Sequence, residues 1–401
     1  MTEQGTFSRR ALITLLLVFV VTRGLGVWVS VRPEGYGRDI KVTRDYELYE
    51  QWATRIVDGS APPYKTVDLE YPPGSLLQLL PPGIADRDLA DYRAVFVVLA
   101  VLLDVLALAF LYWLAVRWGS LAGPWAWTVG LALLGPLPYA RLDLLPALAT
   151  IVAAERAAVG SWGFSGGWLG FAAATKLYPA LLMPGAAAAS RDQTKWLTGA
   201  AAGIALPLLP FVLMLPDVLS DVFGYHGERG IQIESLWGSG LFVAIRNGYN
   251  LEIDADFGAY HFNTALVPLM KLAASAITVG AVLAAPLVLR RTKQPQAIAL
   301  SQVAFPVLAL AVAFGTVLSP QYLIWLLALG AVALCTPDSP LRPPIYLMCA
   351  AAFLTHLLFP FFYNRLQAFE AVPVFLLVVR NLLLVLVALW ATVATRRWLR
   401  A

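Results

Sequence analysis

The sequence predicts an all-α polytopic membrane protein. Hydrophobic residues occupy 59% of its 401 positions and charged residues only 13%, whereas a soluble domain carries about 25% charged residues. Apolar runs of roughly twenty residues, long enough to cross the hydrocarbon core as helices, recur along the whole chain. We therefore expect a single membrane domain covering residues 1–401.

Eleven apolar segments make up most of this domain. The first is expected to remain as a span, because its apolar run is long and lacks a small-x-small cleavage site. The run 162–190 carries Lys176 and Pro179 in its middle, which favours two short helices meeting at "TKLYP" over one continuous span. That division gives about twelve crossings. The segments are 11–31, 94–116, 121–139, 142–158, 162–190, 196–216, 266–289, 297–318, 321–336, 343–362 and 371–395.

The charges divide between the two sides that these crossings define. Two long loops, 32–93 and 217–265, fall on one side and together hold 28 of the 54 charged residues, with a net charge of −8. Small basic clusters fall on the other side, so the positive-inside rule makes that side cytoplasmic, both termini cytoplasmic and both loops external. These clusters explain the overall charge of +4 without nucleic acid. They contain Arg9, Arg10, Arg117, Arg156, Arg191, Lys195, Arg290, Arg291, Lys293, Arg342, Arg396, Arg397 and Arg400.

A helix is predicted in the first external loop. From Asp45 to Asp58 the spacing places Tyr49, Trp52 and Ile56 on one face. We expect this helix to lie in the membrane interface with its aromatic face towards the membrane. The "GSAPPY" that follows ends it, since glycine suits a C-terminal cap and proline cannot extend the helix.

Two carboxylates of this loop stand at the edges of structural elements. Asp45 begins the helical pattern, where aspartate is favoured as an N-cap. Glu70 begins the "EYPPG" turn, where it can serve as a turn acceptor. Glu47 and Glu50 lie within the helical pattern and are expected to be solvated. Asp45 and Glu70 are therefore the carboxylates that we carry forward as candidates for chemistry.

Arg23, Asp104 and Arg380 also interrupt apolar runs. Arg23 in "VVTRGLG" and Arg380 in "LLVVRNLLL" are functional candidates, because an intramembrane arginine is costly unless it faces a cavity or a partner. Arg23 has the alternative of snorkelling to the outer interface. Asp104 is expected to be buried with an arginine or a backbone partner.

Several short motifs resemble one family. The first external loop and four later segments are similar, in matching order, to the family-87 GT-C glycosyltransferases, the polyprenyl-phosphate-mannose-dependent mannosyltransferases typical of actinobacteria. The resemblance implies a GT-C fold with about twelve transmembrane helices and two long external loops. The motifs are Asp45, Tyr49, Trp52, Gly59, Pro63-Tyr64 and Glu70-Tyr71-Pro72-Pro73-Gly74, then "RLDLLPAL" (141–148), "ATKLYPALLMP" (174–184), "HGERGIQIES" (226–235) and "LSPQYLIWLL" (318–327).

The resemblance also implies a reaction. A hexose, with mannose expected, would leave a polyprenyl-phosphate donor for a hydroxyl of an envelope glycolipid or glycan outside the plasma membrane. Because a lipid phosphate already leaves readily, such an enzyme needs a base for the acceptor and cations for the phosphate; no cofactor or metal is expected. Asp45 is predicted as that base, since the family's essential carboxylate is the aspartate of this loop, with Glu70 as the second candidate. One base opposite the leaving phosphate inverts the anomeric centre.

Five cations are candidates for binding the donor phosphate. Lys176 stands at the tip of the divided segment 162–190, and Arg229 stands in the second external loop, so both reach the face of Asp45. Arg229 offers a planar fork suited to phosphate, with an ion pair to Glu228 or Glu234 as the alternative. The five are Arg229, Lys176, Arg23, Arg141 and Arg380.

Other residues of the motifs are predicted to contact substrate. His226 is a candidate for a sugar contact or a second acid/base, or is simply exposed. Many family members carry histidine after the Ser-Pro of the late motif, whereas Gln321 stands here, so a dyad that uses this histidine cannot operate. The predicted substrate contacts are His226, Glu234, Tyr64, Gln321 and Tyr322.

Metal sites and disulfides find little support in the sequence. The "DAD" at 254–256 matches the Asp-x-Asp of soluble glycosyltransferases, but it lies in an external loop without a strand-rich nucleotide-binding domain and is interpreted as solvated charge. Cys335 and Cys349 fall in or beside apolar runs and indicate neither a disulfide framework nor a metal site.

Two further function classes remain open. A transporter or flippase of lipid-linked sugars would also need about twelve spans and intramembrane arginines. Transporters concentrate their binding groups near the bilayer midplane, whereas the charge here is concentrated in two external loops. An enzyme that transfers phosphate or ligates polymers from the same lipid donors would keep the cations and move a different group.

Overall fold

The structure is a computed structural model, and it describes residues 7–32, 44–60, 63–64, 69–85, 88–214, 229–256 and 258–401. Within these ranges the regular secondary structure is helical apart from three short strands, as the predicted class requires. Among the described helices, seven are long and apolar enough to cross a membrane. They are Arg9–Val31, Leu89–Trp118, Gln193–Met214, Val267–Leu289, Gln296–Phe314, Arg342–Gln367 and Ala371–Trp398.

The elements follow one another as sixteen α-helices and three strands in the described part of the chain. Single turns of 3-10 helix at Pro73–Ser75, Leu137–Ala140 and Tyr178–Leu182 join some of them, and Leu357–Phe362 is a π-helical kink. The helices are α1 (Arg9–Val31), α2 (Arg44–Val57), α3 (Leu76–Ala85), α4 (Leu89–Trp118), α5 (Ala122–Leu133), α6 (Leu144–Ala158), α7 (Trp162–Thr175), α8 (Met183–Ala189), α9 (Gln193–Met214), α10 (Leu236–Arg246), α11 (Val267–Leu289), α12 (Gln296–Phe314), α13 (Tyr322–Leu334), α14 (Arg342–His356), α15 (Tyr363–Gln367) and α16 (Ala371–Trp398). The strands are β1 (Ile231–Gln232), β2 (Ile253–Asp256) and β3 (Ala259–Phe262).

The apolar run 162–190 is divided at Lys176, as predicted. Helix α7 ends at Thr175, and Lys176 itself has extended backbone angles. The 3-10 turn that contains Pro179 follows and leads into α8. Proline lacks the N–H that a continuous helix would bond to the carbonyl four residues earlier, and its ring clashes with that carbonyl. For Pro179 this carbonyl belongs to Thr175, the last residue of α7, so the division at this point has a local cause.

Glycines bring α7 and α9 into backbone contact. A Cβ atom on Gly199 would lie 1.9 Å from the carbonyl oxygen of Gly163, and one on Gly203 would lie 2.0 Å from that of Gly167. Such small residues at four-residue spacing allow close helix approach in membranes. Both contacts advance in the same direction along the two helices, which are therefore parallel. Residues 176–192 must return the chain to the end at which α7 began.

Helix ends that the charge pattern assigned to one side lie together. The Phe7 ring is 6.5 Å from that of Tyr112 near the end of α4, and Arg117 donates to the carbonyl of Ala158 at the end of α6 over 3.1 Å. At the other side, the two long loops contact each other through an ion pair described below. Glu70 of the first loop and Arg229 of the second therefore lie in contact.

Protein covers the aromatic face of α2. Tyr49 is 1% exposed and stacks on Phe96 of α4 with 5.7 Å between ring centroids, and Trp52 is 9% exposed. The expected contact of this face with the membrane is therefore corrected: α3 and α4 supply the apolar partner that the lipid was expected to supply. Gly59, with a φ of +70°, ends the turn after the helix.

A small antiparallel sheet orders the second loop, with strand order β1-β3-β2. Phe262 of β3 is opposite Ile231 on one side and Ile253 on the other. The "DAD" run lies in β2, where Asp254 accepts a hydrogen bond from Asn263 over 2.6 Å. Among the described residues, no group of three or more histidine, cysteine, aspartate or glutamate side chains is placed to hold a metal ion.

Candidate active site

Charged side chains from five separate parts of the chain meet where the two long loops join. They form three ion pairs, and electrostatic interactions of Arg141 with Asp143 and Glu234, and of Glu70 with Lys176, connect these pairs into one group. We call this group the charge cluster. Its members are Asp45, Glu70, Arg141, Asp143, Lys176, Arg229 and Glu234.

The first ion pair joins Asp45 to Arg141. Asp45 lies inside the first turn of α2, where the helix dipole favours a carboxylate, and not at the predicted N-cap. Arg141 follows the 3-10 turn Leu137–Ala140. The hydroxyl of Tyr46 donates to the backbone carbonyl of Tyr139 over 2.7 Å, which holds the two segments together. Arg141, predicted as a phosphate ligand, is therefore also the ion-pair partner of the candidate base.

The second ion pair joins Glu70 to Arg229 across the two loops. Arg229 Nη2 is 2.8 Å from Glu70 Oε2, and the two residues are 159 positions apart. Burial raises the pKa of Glu70. Three effects outweigh burial and bring that pKa below its ordinary value: the charge of Arg229, a hydrogen bond with Tyr71, and the charge of Lys176. Glu70 is therefore a weak proton acceptor. This partner for Arg229 is one that the sequence did not indicate; the predicted alternative Glu228 lies outside the described residues.

The third ion pair joins Lys176 to Asp143. The extended backbone at Lys176 directs its ammonium group to Asp143 Oδ1 at 2.7 Å and places it 4.9 Å from the centroid of the Tyr71 ring. The indole N–H of Trp325 donates to the same carboxylate oxygen. Asp143 and Trp325 were not predicted as site residues, although they lie in the motifs "RLDLLPAL" and "LSPQYLIWLL". The signal for Asp143 is an aspartate two positions after Arg141 in an otherwise apolar segment.

An aromatic stack borders this ion pair. The ring of Trp325 lies between Tyr178 at 4.3 Å and Tyr322 at 3.9 Å, measured between ring centroids. Tyr178 and Trp325 are buried, whereas Tyr322 is only partly buried. Tyr322, a predicted substrate contact, is therefore the outermost ring of the stack beside the charge cluster. Gln321 precedes it and is 8% exposed.

Glu234 is held by side chains from the C-terminal part of the chain. The Tyr363 hydroxyl donates to Glu234 Oε2 over 3.3 Å. Arg380 Nη2 donates over 2.8 Å to the backbone carbonyl of Glu234, and Asn381 donates to the same carbonyl. Arg380 was predicted to bind phosphate. In the structure it is fully buried and supports the backbone of the loop that carries Glu234.

Arg23 is not brought to the charge cluster. Its guanidinium is buried against Asp104, with Nε 2.8 Å from Oδ2, and it donates to the carbonyl of Thr128. Trp127 and Tyr139 donate to the same carboxylate over 2.7 and 2.9 Å. The prediction that Asp104 is buried with an arginine is confirmed. Both predicted roles of Arg23, phosphate binding and snorkelling, are corrected, because its charge is compensated inside the helix bundle.

The remaining predicted substrate contacts have different positions. The Tyr64 hydroxyl donates to the backbone carbonyl of Tyr71 over 2.7 Å, and its ring packs on Phe211 at the end of α9. Tyr64 therefore stabilises the turn that carries Glu70. His226 lies outside the described residues, so its predicted role stays a prediction.

The helices and the charge cluster define a polytopic membrane protein with a charged site at one end of its helix bundle. Residues 69–320, more than half of the chain, match the model of glycosyltransferase family 87. The chain belongs to this family and is therefore a membrane glycosyltransferase, consistent with a GT-C fold. A comparison with curated proteins finds no match. The matched region contains every member of the charge cluster except Asp45, which precedes it.

Proposed function

We propose that this glycosyltransferase moves a hexose, specifically mannose, from a polyprenyl-phosphate donor to a hydroxyl of an envelope glycolipid or glycan. The charge cluster is the observation that carries the proposal. Arg141, Lys176 and Arg229 come from distant parts of a largely apolar chain and meet carboxylates beside the membrane helices. This arrangement suits a donor whose charged phosphate must lie at the end of a lipid tail.

The three cations are oriented before any donor binds. Each forms an ion pair with a carboxylate of the cluster. Negative charge grows on the phosphate as the bond to the sugar breaks, and cations that are already in place stabilise it without reorganisation. Arg229, with two parallel N–H groups on its fork, suits two phosphate oxygens.

Asp45 is the general base in this mechanism. Its carboxylate accepts the proton of the acceptor hydroxyl, the acceptor oxygen bonds to the anomeric carbon, and the electron pair of the broken carbon–oxygen bond leaves with the polyprenyl phosphate. Attack opposite the leaving group inverts the anomeric centre. Glu70 is the second candidate, and its pKa below the ordinary glutamate value reduces its affinity for a proton.

The proposed enzyme has about twelve crossings, external loops and cytoplasmic termini in the plasma membrane. The parallel contact of α7 with α9 supports the division of segment 162–190 on which this count depends, because residues 176–192 must return the chain between the two helices. The basic clusters support the orientation. A transporter of lipid-linked sugars is not favoured, since the charge cluster lies where the loops meet and transporters bind near the midplane.

The test is transfer by purified protein in lipid, supplied with labelled polyprenyl-phosphate sugars and a membrane lipid extract. Asp45→Asn is expected to lower transfer about 10²- to 10⁴-fold, the usual contribution of a general base. Glu47→Gln is the matched control, because Glu47 is an exposed carboxylate on the same helix, and it should retain transfer. Normal transfer by folded Asp45→Asn would remove Asp45 from the mechanism. Transfer from nucleotide sugars alone would refute the lipid donor.

A further inference from the structure

Asp143 lies at the start of α6, but its side chain does not cap this helix. It occupies the N-cap position of α6, yet its side chain makes no capping hydrogen bond. An aspartate at this position normally accepts from a backbone N–H of the first turn and stabilises the helix by about 1 kcal/mol. The carboxylate instead points away from the helix start, towards Lys176 and Trp325. Local helix stability therefore does not explain this side chain.

The two oxygens of the Asp143 carboxylate are in different situations. Oδ1 accepts from both the Lys176 ammonium and the Trp325 indole. Oδ2 is buried and has no hydrogen-bond partner among the described residues. Asp143 as a whole is 0% exposed. A buried carboxylate oxygen without a donor carries a substantial desolvation cost, so the arrangement calls for a donor at Oδ2.

The surroundings of Asp143 belong to the candidate active site. Its charge interacts with the hydroxyl groups of Tyr71, Tyr178 and Tyr322 and with Arg141. The carboxylate thus contacts both Trp325 of the aromatic stack and Lys176 of the charge cluster.

We propose that Asp143 Oδ2 accepts a hydrogen bond from a hydroxyl of the donor sugar, which makes Asp143 a residue that selects the sugar. This assignment rests on the proposed function. Lys176, on the other oxygen of the same carboxylate, is a proposed ligand of the donor phosphate. The sugar is bonded directly to that phosphate, so a sugar hydroxyl lies within a few ångströms of it. One carboxylate therefore fixes the phosphate-binding cation with Oδ1 and the sugar with Oδ2.

The experiment pairs a variant with donor analogues. The intact protein in lipid is given polyprenyl-phosphate mannose and its 2-, 3-, 4- and 6-deoxy analogues, and kcat/KM is measured for the wild type and for Asp143→Asn. The wild type is expected to lose about 10- to 100-fold on one analogue, the usual value of a hydrogen bond to a charged group. Asp143→Asn should be poor with mannose and should lose little more on that same analogue, because the partner of the missing hydroxyl is already gone.

Trp325→Phe supplies the matched control. It removes a donor to Oδ1, keeps an aromatic ring in the stack and leaves Oδ2 in place. This variant is expected to lower kcat/KM by the same factor for mannose and for the sensitive deoxy analogue. A general disturbance of the site would make the two variants behave alike, and that result would overturn the assignment.

Other outcomes separate this assignment from the proposed function. An active wild type that uses all four deoxy donors within about twofold of mannose, well below the value of a hydrogen bond to a charged group, would overturn the role of Asp143 alone, and this result needs no variant to fold. Coupling of Asp143 to deoxy acceptors instead of deoxy donors would overturn the donor assignment. Absence of transfer from every polyprenyl-phosphate sugar would overturn the proposed function together with this one.

Discussion

Gly199→Ala is expected to destabilise the protein although alanine favours helices. In a helix interior alanine is about 1 kcal/mol more favourable than glycine. The added methyl group, however, would lie 1.9 Å from the carbonyl oxygen of Gly163. This neighbour is backbone, so no side-chain rotation relieves the contact. Since real Cβ atoms essentially never approach closer than 3.0 Å, α7 and α9 have to separate by roughly 1 Å, and overpacking of this kind costs about 1–3 kcal/mol. The packing cost outweighs the gain in helix propensity.

Gly280→Ala is the matched control for this change. Gly280 lies inside α11, and a Cβ atom there meets nothing within 4 Å. Thermal unfolding in detergent, followed by tryptophan fluorescence at one fixed heating rate, gives an apparent Tm for each variant. Gly199→Ala should lower that Tm by a few degrees, whereas Gly280→Ala should leave it unchanged or raise it.

One result would refute the predicted contact between α7 and α9. If Gly199→Ala unfolds at the same temperature as Gly280→Ala or above it, α7 and α9 do not touch at Gly163 and Gly199. Gly203→Ala repeats the test one turn further on, where the distance to the carbonyl oxygen of Gly167 is 2.0 Å. The two contact variants should agree, because a single parallel interface produces both distances.

Three further predictions concern an ion pair, a buried charge and the topology. The pKa of Glu70 is lowered, so its pair with Arg229 stabilises the fold above pH 4.5, the ordinary glutamate pKa, and this stability is lost as pH falls through the lowered pKa. The Tm difference between wild type and Glu70→Gln should therefore be constant above pH 4.5 and shrink below it. A Tm difference that does not change with pH would contradict the pairing. Asp104→Asn leaves a buried guanidinium without a counter-charge and should cost about 3–5 kcal/mol of unfolding free energy, so an unchanged Tm would show that the pair is dispensable. Cysteines at Ser60 and Gly240, in protein without its own cysteines, should react with an impermeant reagent from the same side, and protection of position 240 alone would contradict the proposed twelve crossings.

Much of the fold could be predicted because it depends on local properties of the chain. A run of apolar residues must be helical in a membrane, since each backbone group needs an internal partner. Proline and lysine at "TKLYP" predicted the division that the structure shows at Lys176. The sequence correctly predicted that Tyr49 and Trp52 share one face of α2, but it did not predict that protein covers this face. Periodicity shows which side chains share a face and does not show whether lipid or protein covers it.

The candidate site was only partly predictable for a related reason. Cations in an apolar chain are conspicuous, so Arg141, Lys176 and Arg229 were selected directly. Asp143 was missed because a single aspartate in an apolar motif has no periodic signal of its own. Arg23 was assigned wrongly because an intramembrane arginine indicates a partner without indicating which one.

The sequence by itself determined that this protein is a helical membrane protein and that the apolar run 162–190 is divided near Lys176. It also determined which charged residues lie in apolar segments, where an unpaired charge is costly. Only the tertiary structure decided how those charges are paired. Lys176 is 33 positions from Asp143 in the chain, and Arg229 is 159 positions from Glu70. The energy of such a pair depends on the distance between two atoms and on their burial. Neither quantity is contained in a local pattern, and both are set when distant helices pack together.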